Sequence, residues 1–439
     1  MEFIYILCLA AYLFMLNYKR IILGFLILII GICLLFGVFW LIFFRSAATP
    51  DEEADEAVVI GGELPEVGPA GELGKMTSGG ILPQGTSGDE ATMDDKYGLE
   101  ETYTIGNIAN GSLTQVVSVI DEEFIDVNLA GNSLNYLSSD DNKFYWVALD
   151  GKKRTLLSDK EFPYVEEIFW SPDGKKVILE YPDGANIYYD IARDKQITLP
   201  VGVTEPAWRG DSDKIAYEYI GANEDDNWLV VSDSDGSRAL PIEPIGDKRN
   251  SVQVSWSPTS EVVALYRKSI GLNREEIFFI GLNDENFKSL EVEGSNFKGL
   301  WSKHGDMILY HVVNSNNNYN PILWIADAQG DNIGRNNSSL GLSTWVDKCV
   351  FGMNNTTVYC AVPISLPEGA GLYPDLLNTE PDVFYKIDLT TGISKLIAYP
   401  VYSEELDEFQ VKKIFLSDDG TELFFWDNFT SKLYSMKLR

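Results

Sequence analysis

Residues 166–181 read EEIFWSPDGKKVILEY and are followed at 186–199 by NIYYDIARDKQITL. Apolar and polar residues alternate on both sides of Asp173-Gly174, the period of a half-buried strand. Asp-Gly between two such runs predicts a hairpin whose two-residue loop needs positive φ at both positions. A third, aromatic strand and a short fourth one follow, so the unit is a four-stranded antiparallel sheet.

The unit recurs. Positions equivalent to Trp170 are Val127, Trp208, Trp256, Trp301, Phe351 and Leu416. Seven residues after each anchor, Trp170 included, comes an apolar residue: Leu134, Val177, Ile215, Val263, Ile308, Val358 and Leu423. Third strands recur as FYWVALDG, IYYDIARD, WLVVSDSDG, IFFIGLND, ILWIADAQG, VFYKIDLTTG and LYSMKLR. Seven four-stranded copies spaced 38 to 65 residues apart are the signature of a β-propeller, not of a helical solenoid. The fold class expected is all-β, a seven-bladed propeller over residues 112–439. The last copy supplies only three strands, and a raw sheet edge invites aggregation. LTQVVS, Leu113–Ser118, resembles the fourth strands of other copies and is expected to complete blade seven and close the ring.

Upstream of the repeats, residues 45–111 are rich in Gly, Pro, Ser, Asp and Glu and keep no period, which predicts a disordered acidic tether spanning about 45 Å. Before it, Ile21–Phe44 is an unbroken apolar run of 24 residues. As a helix it extends about 36 Å against a hydrocarbon core of about 30 Å, enough for a transmembrane anchor. Lys19 and Arg20 precede the run, while Asp51, Glu52, Glu53, Asp55 and Glu56 follow soon after Arg45. The positive-inside rule then puts the C-terminal bulk outside the cytoplasm, periplasmic or at the cell surface. Residues 1–20 form a short segment holding either a second apolar stretch, FIYILCLAAYLFMLN, or a start better placed at Met15; both leave the propeller on the same side.

The chain has 439 residues, 66 Asp plus Glu against 34 Lys plus Arg, a net charge of −32 and a pI near 4.3. No basic stripe interrupts so acidic a field, which excludes nucleic acid as a partner. The charge favours cationic partners or ions instead.

Of four cysteines, Cys349 and Cys360 flank FGMNNTTVY in blade six. Centring the hairpin on Asn354-Asn355 makes them face each other across it, close enough for a disulfide in an oxidising compartment.

The segments WSPDGKKVILEY, VSWSPTSEVVALY and FLSDDGTELFFW resemble the WD-type repeats of TolB-like propellers, whose blades carry a W-S-P-D-G turn. The match covers about three quarters of the chain. With the anchor, the tether and the cysteine pair, the chain also resembles membrane-anchored bacterial propellers. The resemblance implies an interaction platform in the periplasm or at the surface. Two departures stand out: Trp is lost from three of the seven blades, and blade six carries the insertion PISLPEGAGLYPDLLNTEPD. No TolB-like partner site carries over to particular residues.

Little else in the sequence names a chemistry. No G-x-S-x-G elbow follows the last blade, against a serine hydrolase. His304, in a turn, and His311, ending a strand, are too few for a zinc site. VSDSDGSR, residues 231–238, lacks the ligand spacing of an EF-hand loop. The aromatic third strands are expected to be core. No catalytic, cofactor or metal residue is assigned. The insertion is the expected recognition element, through Leu366, Leu372, Tyr373, Leu376 and Leu377. The functional expectation is a single-pass, membrane-anchored extracytoplasmic propeller, a non-catalytic scaffold for a protein partner. The alternative is a carbohydrate or cell-wall receptor or hydrolase with paired carboxylates at the centre of the ring.

Overall fold

The computed structural model describes residues 90–92, 102–402 and 408–439. The expected span at 21–44 and most of the tether lie outside the described residues, among which no helix is long and apolar enough to cross a membrane. Glu90–Thr92 pairs with Thr102–Thr104 as a two-stranded ribbon. The end of the expected tether is pinned to the blades: Ala109 donates to Lys437 O at 2.9 Å and Gly111 to Ile397 O at 2.7 Å.

Seven sheets follow, each built on antiparallel strands in meander order, with N-terminal strands added to the last two. Their innermost strands are Phe124–Ala130, Glu167–Trp170, Val203–Trp208, Val252–Val254, Ser295–Trp301, Cys349–Phe351 and Val411–Leu416. Between consecutive blades lie seven apolar clusters, one per interface, and the cluster joining Phe424 and Trp426 of blade seven to Phe124 and Leu134 of blade one closes the ring. Leu134, Val177, Ile215, Val263, Ile308, Val358 and Leu423, the second-strand residues singled out by the repeat, are all fully buried. Burying each contributes about 1.5–3 kcal/mol, so the layer adds cohesion in every blade. Indole N–H groups add bonds between blades: Trp208 Nε1 donates to Phe169 O at 2.9 Å, Trp256 Nε1 to Ala207 O at 3.1 Å, and Trp301 Nε1 to Ser255 Oγ at 3.1 Å.

Three details differ from the sequence reading. Closure is shared: Val117–Ile120 supplies the fourth strand of blade seven, whereas Ser112–Gln115 runs parallel to Ile393–Val401 as a fifth strand of blade six. The chain thereby clasps two blades instead of completing one. In blade one the residue equivalent to Trp170 is Leu129, not Val127, because Leu129 pairs with Leu134 and the hairpin closes tightly at Ala130↔Ser133.

The W-S-P-D-G hairpin has a wider loop than two residues. Ser171 N–H donates to Lys176 O, Gly174 N–H donates to Ser171 O, and Ser171 Oγ donates to Asp173 Oδ1 at 2.7 Å. Only the fourth residue is left-handed: Gly174 has φ 66°, and Gly305 and Gly420 occupy the same place at 76° and 67°. A Cβ on Gly174 would lie 2.5 Å from Ala130 Cβ and 2.8 Å from Asn135 Nδ2 in blade one. Gly174→Ala should therefore cost about 2–4 kcal/mol, from left-handed strain plus overpacking between blades, read as a lowered urea midpoint with unchanged slope.

Candidate functional site

In a meander of this order, the loops joining second to third strands and the links between blades emerge on one face, where the innermost strands begin. That face carries the blade-six insertion and the mouth of the central channel.

The insertion is rooted firmly and bare at its tip. Gly369 N–H donates to Asn318 O at 2.8 Å, Gly371 N–H to Tyr319 O at 2.9 Å, and Ala370 N–H to Asn320 Oδ1 at 3.3 Å, which sew it to a loop of blade five. Gly371 is obligatory there, since a Cβ would collide with Val313 Cγ1 and Tyr319 O. Beneath lies a buried ion pair: Lys348 Nζ reaches Asp382 Oδ2 at 2.7 Å and Oδ1 at 3.0 Å, and Asn378 Oδ1 at 3.3 Å. Asp382 Oδ2 also accepts from Val411 N–H of blade seven at 2.7 Å, and Gln410 Nε2 donates to Asn378 O. Burial raises the Asp382 carboxyl above its ordinary range, against the pull of Lys348. Above this root, Leu366 is half-buried and Leu372 more open, while Tyr373 and Leu376 are 62% and 74% exposed. Leu377 ends the single turn of helix Pro374–Leu377.

The channel mouth shows a pattern that sequence reasoning missed. Three residues before each anchor, with Leu129 as the anchor of blade one, stand Asp126, Glu167, Glu205, Gln253, Lys298, Lys348 and Lys413. Acids occupy blades one to three and lysines blades five to seven. Lys413 Nζ lies 3.4 Å from Asp126, and Lys298 Nζ lies 2.9 Å from Asp347. Gln253 binds Gly299 through both its amide atoms at 2.9 Å.

Among the described residues Glu167 and Glu205 have no such partner, and further carboxylates crowd them. Glu180 is the cross-strand neighbour of Glu167, a like-charge pairing that destabilises a sheet. Glu218 holds the equivalent place in blade three, opposite Thr204. It is 2% exposed, and among the described residues no donor reaches its Oε1. Burial pushes its carboxyl up to about 7, helped by Glu205 and opposed by Arg249. Glu167 is raised by burial, then by Glu205 and Asp126, against Lys298 and Lys412. Glu180 is raised by burial, then by Glu167, Glu166 and Glu205. Glu205 sits in a β-bulge at φ 47° immediately before Pro206, although a residue preceding proline favours extended backbone and a non-glycine left-handed conformation costs about 1–2 kcal/mol.

The remaining sequence candidates fall into structural roles. Cys349 and Cys360 are cross-strand partners and are bonded, with Cα atoms 4.1 Å apart. Their register is fixed independently by the adjoining pairs Val350↔Tyr359 and Phe351↔Val358. Reduction should therefore cost at most about 3 kcal/mol and leave a folded propeller, seen as a lower melting temperature with unchanged far-UV circular dichroism. His304 is exposed in its turn. His311 is buried, its Nδ1 accepts from Val346 N–H at 3.3 Å, and burial lowers it to about 4. Asp233 is held by Lys214 and Arg238 in a turn ending at Gly236. Phe144 and Tyr189, on third strands, are fully buried between blades one and two.

No protein-family model and no curated protein matches the chain. Among solved structures, the chain is similar to the Cps50 (Swd1) β-propeller domain of Myceliophteria thermophila, with 12% identity over 74% of this chain and 100% of that one and a TM-score of 0.47. It is also similar to Kuenenia stuttgartiensis hydrazine synthase, with 13% identity over 74% and 97% and a TM-score of 0.47. Oligogalacturonate lyase from Vibrio parahaemolyticus shares 8% identity over 73% and 91%, with a TM-score of 0.44. At such identities the likeness is one of fold, and the blade count here rests on the strand pairing.

Proposed function

We propose that the protein is a binding module: a TolB-like propeller held by a membrane anchor at Ile21–Phe44, outside the cytoplasm, that recognises a protein partner with its insertion-bearing face. One observation carries the reading. The insertion places Tyr373 and Leu376 in solvent on a root fastened by a buried ion pair and backbone bonds to blade five. A large apolar side chain on a preorganised projection loses little entropy on docking, which is how interface anchors gain affinity. The acidic charge of the chain, −32, complements a basic partner surface.

The hydrolase alternative draws on Glu218, whose pKa of about 7 suits a general acid. Its 2% exposure argues against that role, because an acid catalyst must come within about 3 Å of the leaving group.

Crosslinking capture from the native membrane should recover one specific partner with the wild type and lose it with Tyr373→Ser/Leu376→Ser, a change that leaves Lys348, Asn378 and Asp382 in place. Equal recovery by both would sink the reading. Thiol labelling in intact cells tests location: a fully oxidised Cys349–Cys360 pair supports an exported propeller, and alkylatable thiols refute it.

A further inference from the structure

We infer that the channel mouth between blades two and three binds an organic cation, the ammonium or guanidinium head of a basic side chain, between Glu167 and Glu205 with Glu218 behind them. It rests on the proposed function for the cation's source, a basic residue of the protein partner.

Two observations point there. Glu167, Glu180, Glu205 and Glu218 occupy equivalent places on two adjacent hairpins, and none makes a side-chain hydrogen bond or ion pair with protein among the described residues. The other charged residues of the repeat row are paired, Asp126 with Lys413, Lys298 with Asp347 and Lys348 with Asp382. The second observation is Glu218 itself: almost wholly buried, beside Glu205, with an oxygen no protein donor reaches. A buried carboxylate without a donor is costly, and a cation arriving at Glu205 relieves that cost. The left-handed Glu205 before Pro206 adds strain at the same spot, a feature that clusters at ligand sites.

The chemistry of the ligand follows from the spread of the acids. Among the described residues, no three His, Cys, Asp or Glu side chains gather closely enough to hold a metal ion. A dispersed set of carboxylates suits a cation that donates several hydrogen bonds in different directions, three from an ammonium or five from a guanidinium.

Binding is coupled to a proton. Glu218 faces Glu205 on its own hairpin and Arg249 from the following loop. Glu180 faces Glu166, Glu167 and Glu205, and Glu167 faces Asp126, Lys298 and Lys412 across the channel. A bound cation favours ionised Glu218, whose proton leaves to solvent. Affinity therefore rises with pH as Glu218 passes from mainly protonated to mainly ionised, by about tenfold between pH 6 and pH 8.

The test is a titration of the full-length chain, carrying 13C-carboxyl glutamate, with Nα-acetyl-lysine amide and Nα-acetyl-arginine amide. Nα,Nε-diacetyl-lysine amide serves as the neutral control. Expected are saturable shifts with the cationic probes only and a Kd about tenfold lower at pH 8. Glu218→Gln should flatten that pH dependence, and Glu205→Gln should weaken binding at least tenfold. An absent or unsaturable response, an equal response to the neutral probe, a Kd independent of pH, or saturation by Ca2+ that displaces the probes would each overturn the proposal. The probes carry no surface for Tyr373 or Leu376 to dock against, so this result is separable from that of the partner capture.

Discussion

Replacing Lys348 by Met should lower the unfolding free energy by about 3–5 kcal/mol, the largest loss expected from any charge at the channel mouth. Lys348 and Asp382 are 3% and 2% exposed. Without the ammonium, Asp382 keeps only the Val411 N–H as a donor and must either stay charged in the interior or take up a proton. Adding Asp382→Asn to Lys348→Met should restore about 2 kcal/mol, because a neutral amide still accepts from Val411 and leaves no orphaned charge; a double-mutant cycle in urea measures this coupling. The preceding blade holds an internal control. Lys298 occupies the same repeat position, but its pair with Asp347 is half exposed on both sides, so Lys298→Ala should cost less than about 1 kcal/mol. The Lys348→Met loss should also loosen the insertion, since Asn378 shares the same ammonium. A loss under about 1 kcal/mol for Lys348→Met would show that the pair adds nothing to the root.

The blade layer was legible in the sequence because strand periodicity and loop residues are local properties. The seven positions that follow the anchors are buried as the spacing predicts, and facing Cys349 with Cys360 needed only the hairpin centre. Legibility failed where a local pattern had two solutions. Val127 and Leu129 are both apolar, and the seven-residue spacing selected Val127. The tight turn at Gly131 makes this hairpin two residues shorter, which moves the anchor to Leu129. Asp173-Gly174 announced a two-residue loop, yet the Ser171 hydroxyl, which binds Asp173 and accepts from Lys176 N–H, holds a wider one. The parallel strand Ser112–Gln115 depends on an edge some 280 residues away, which no local pattern encodes. The mouth was hidden for a related reason: 66 acidic residues obscured four, and the wrong anchor in blade one removed Asp126 from the row.

Glu218→Gln should stabilise the protein at pH 8 by up to about 3 kcal/mol and change little at pH 4. The ordinary glutamate pKa is 4.5, and in the fold Glu218 is pushed up to about 7. Between those values the native state retains a proton that the unfolded chain has released. The stability linked to that proton is fully present below pH 4.5 and disappears as pH rises through 7. A displacement of this size corresponds to about 3 kcal/mol. Glutamine keeps the shape and cannot ionise, so the variant escapes the loss; its amide inherits the lack of a protein partner, which trims the gain. Urea unfolding of both proteins from pH 4 to pH 8 gives the comparison, and curves that stay parallel would remove Glu218 as an ionising group. An unpaired carboxylate beside a strained Glu205 lowers stability at neutral pH without improving the blade core, since Ile215, Ala216 and Tyr217 on the same strand are already buried. A repeat protein could remove that cost with one apolar residue, as blade six does with Ala361 at the equivalent place. Keeping Glu218 is therefore best explained by a bound cation that repays the cost, and the same pH scan gives the sign: a saturating cationic probe should narrow the gap between the wild type and the Glu218→Gln variant at pH 8 and leave it unchanged at pH 4.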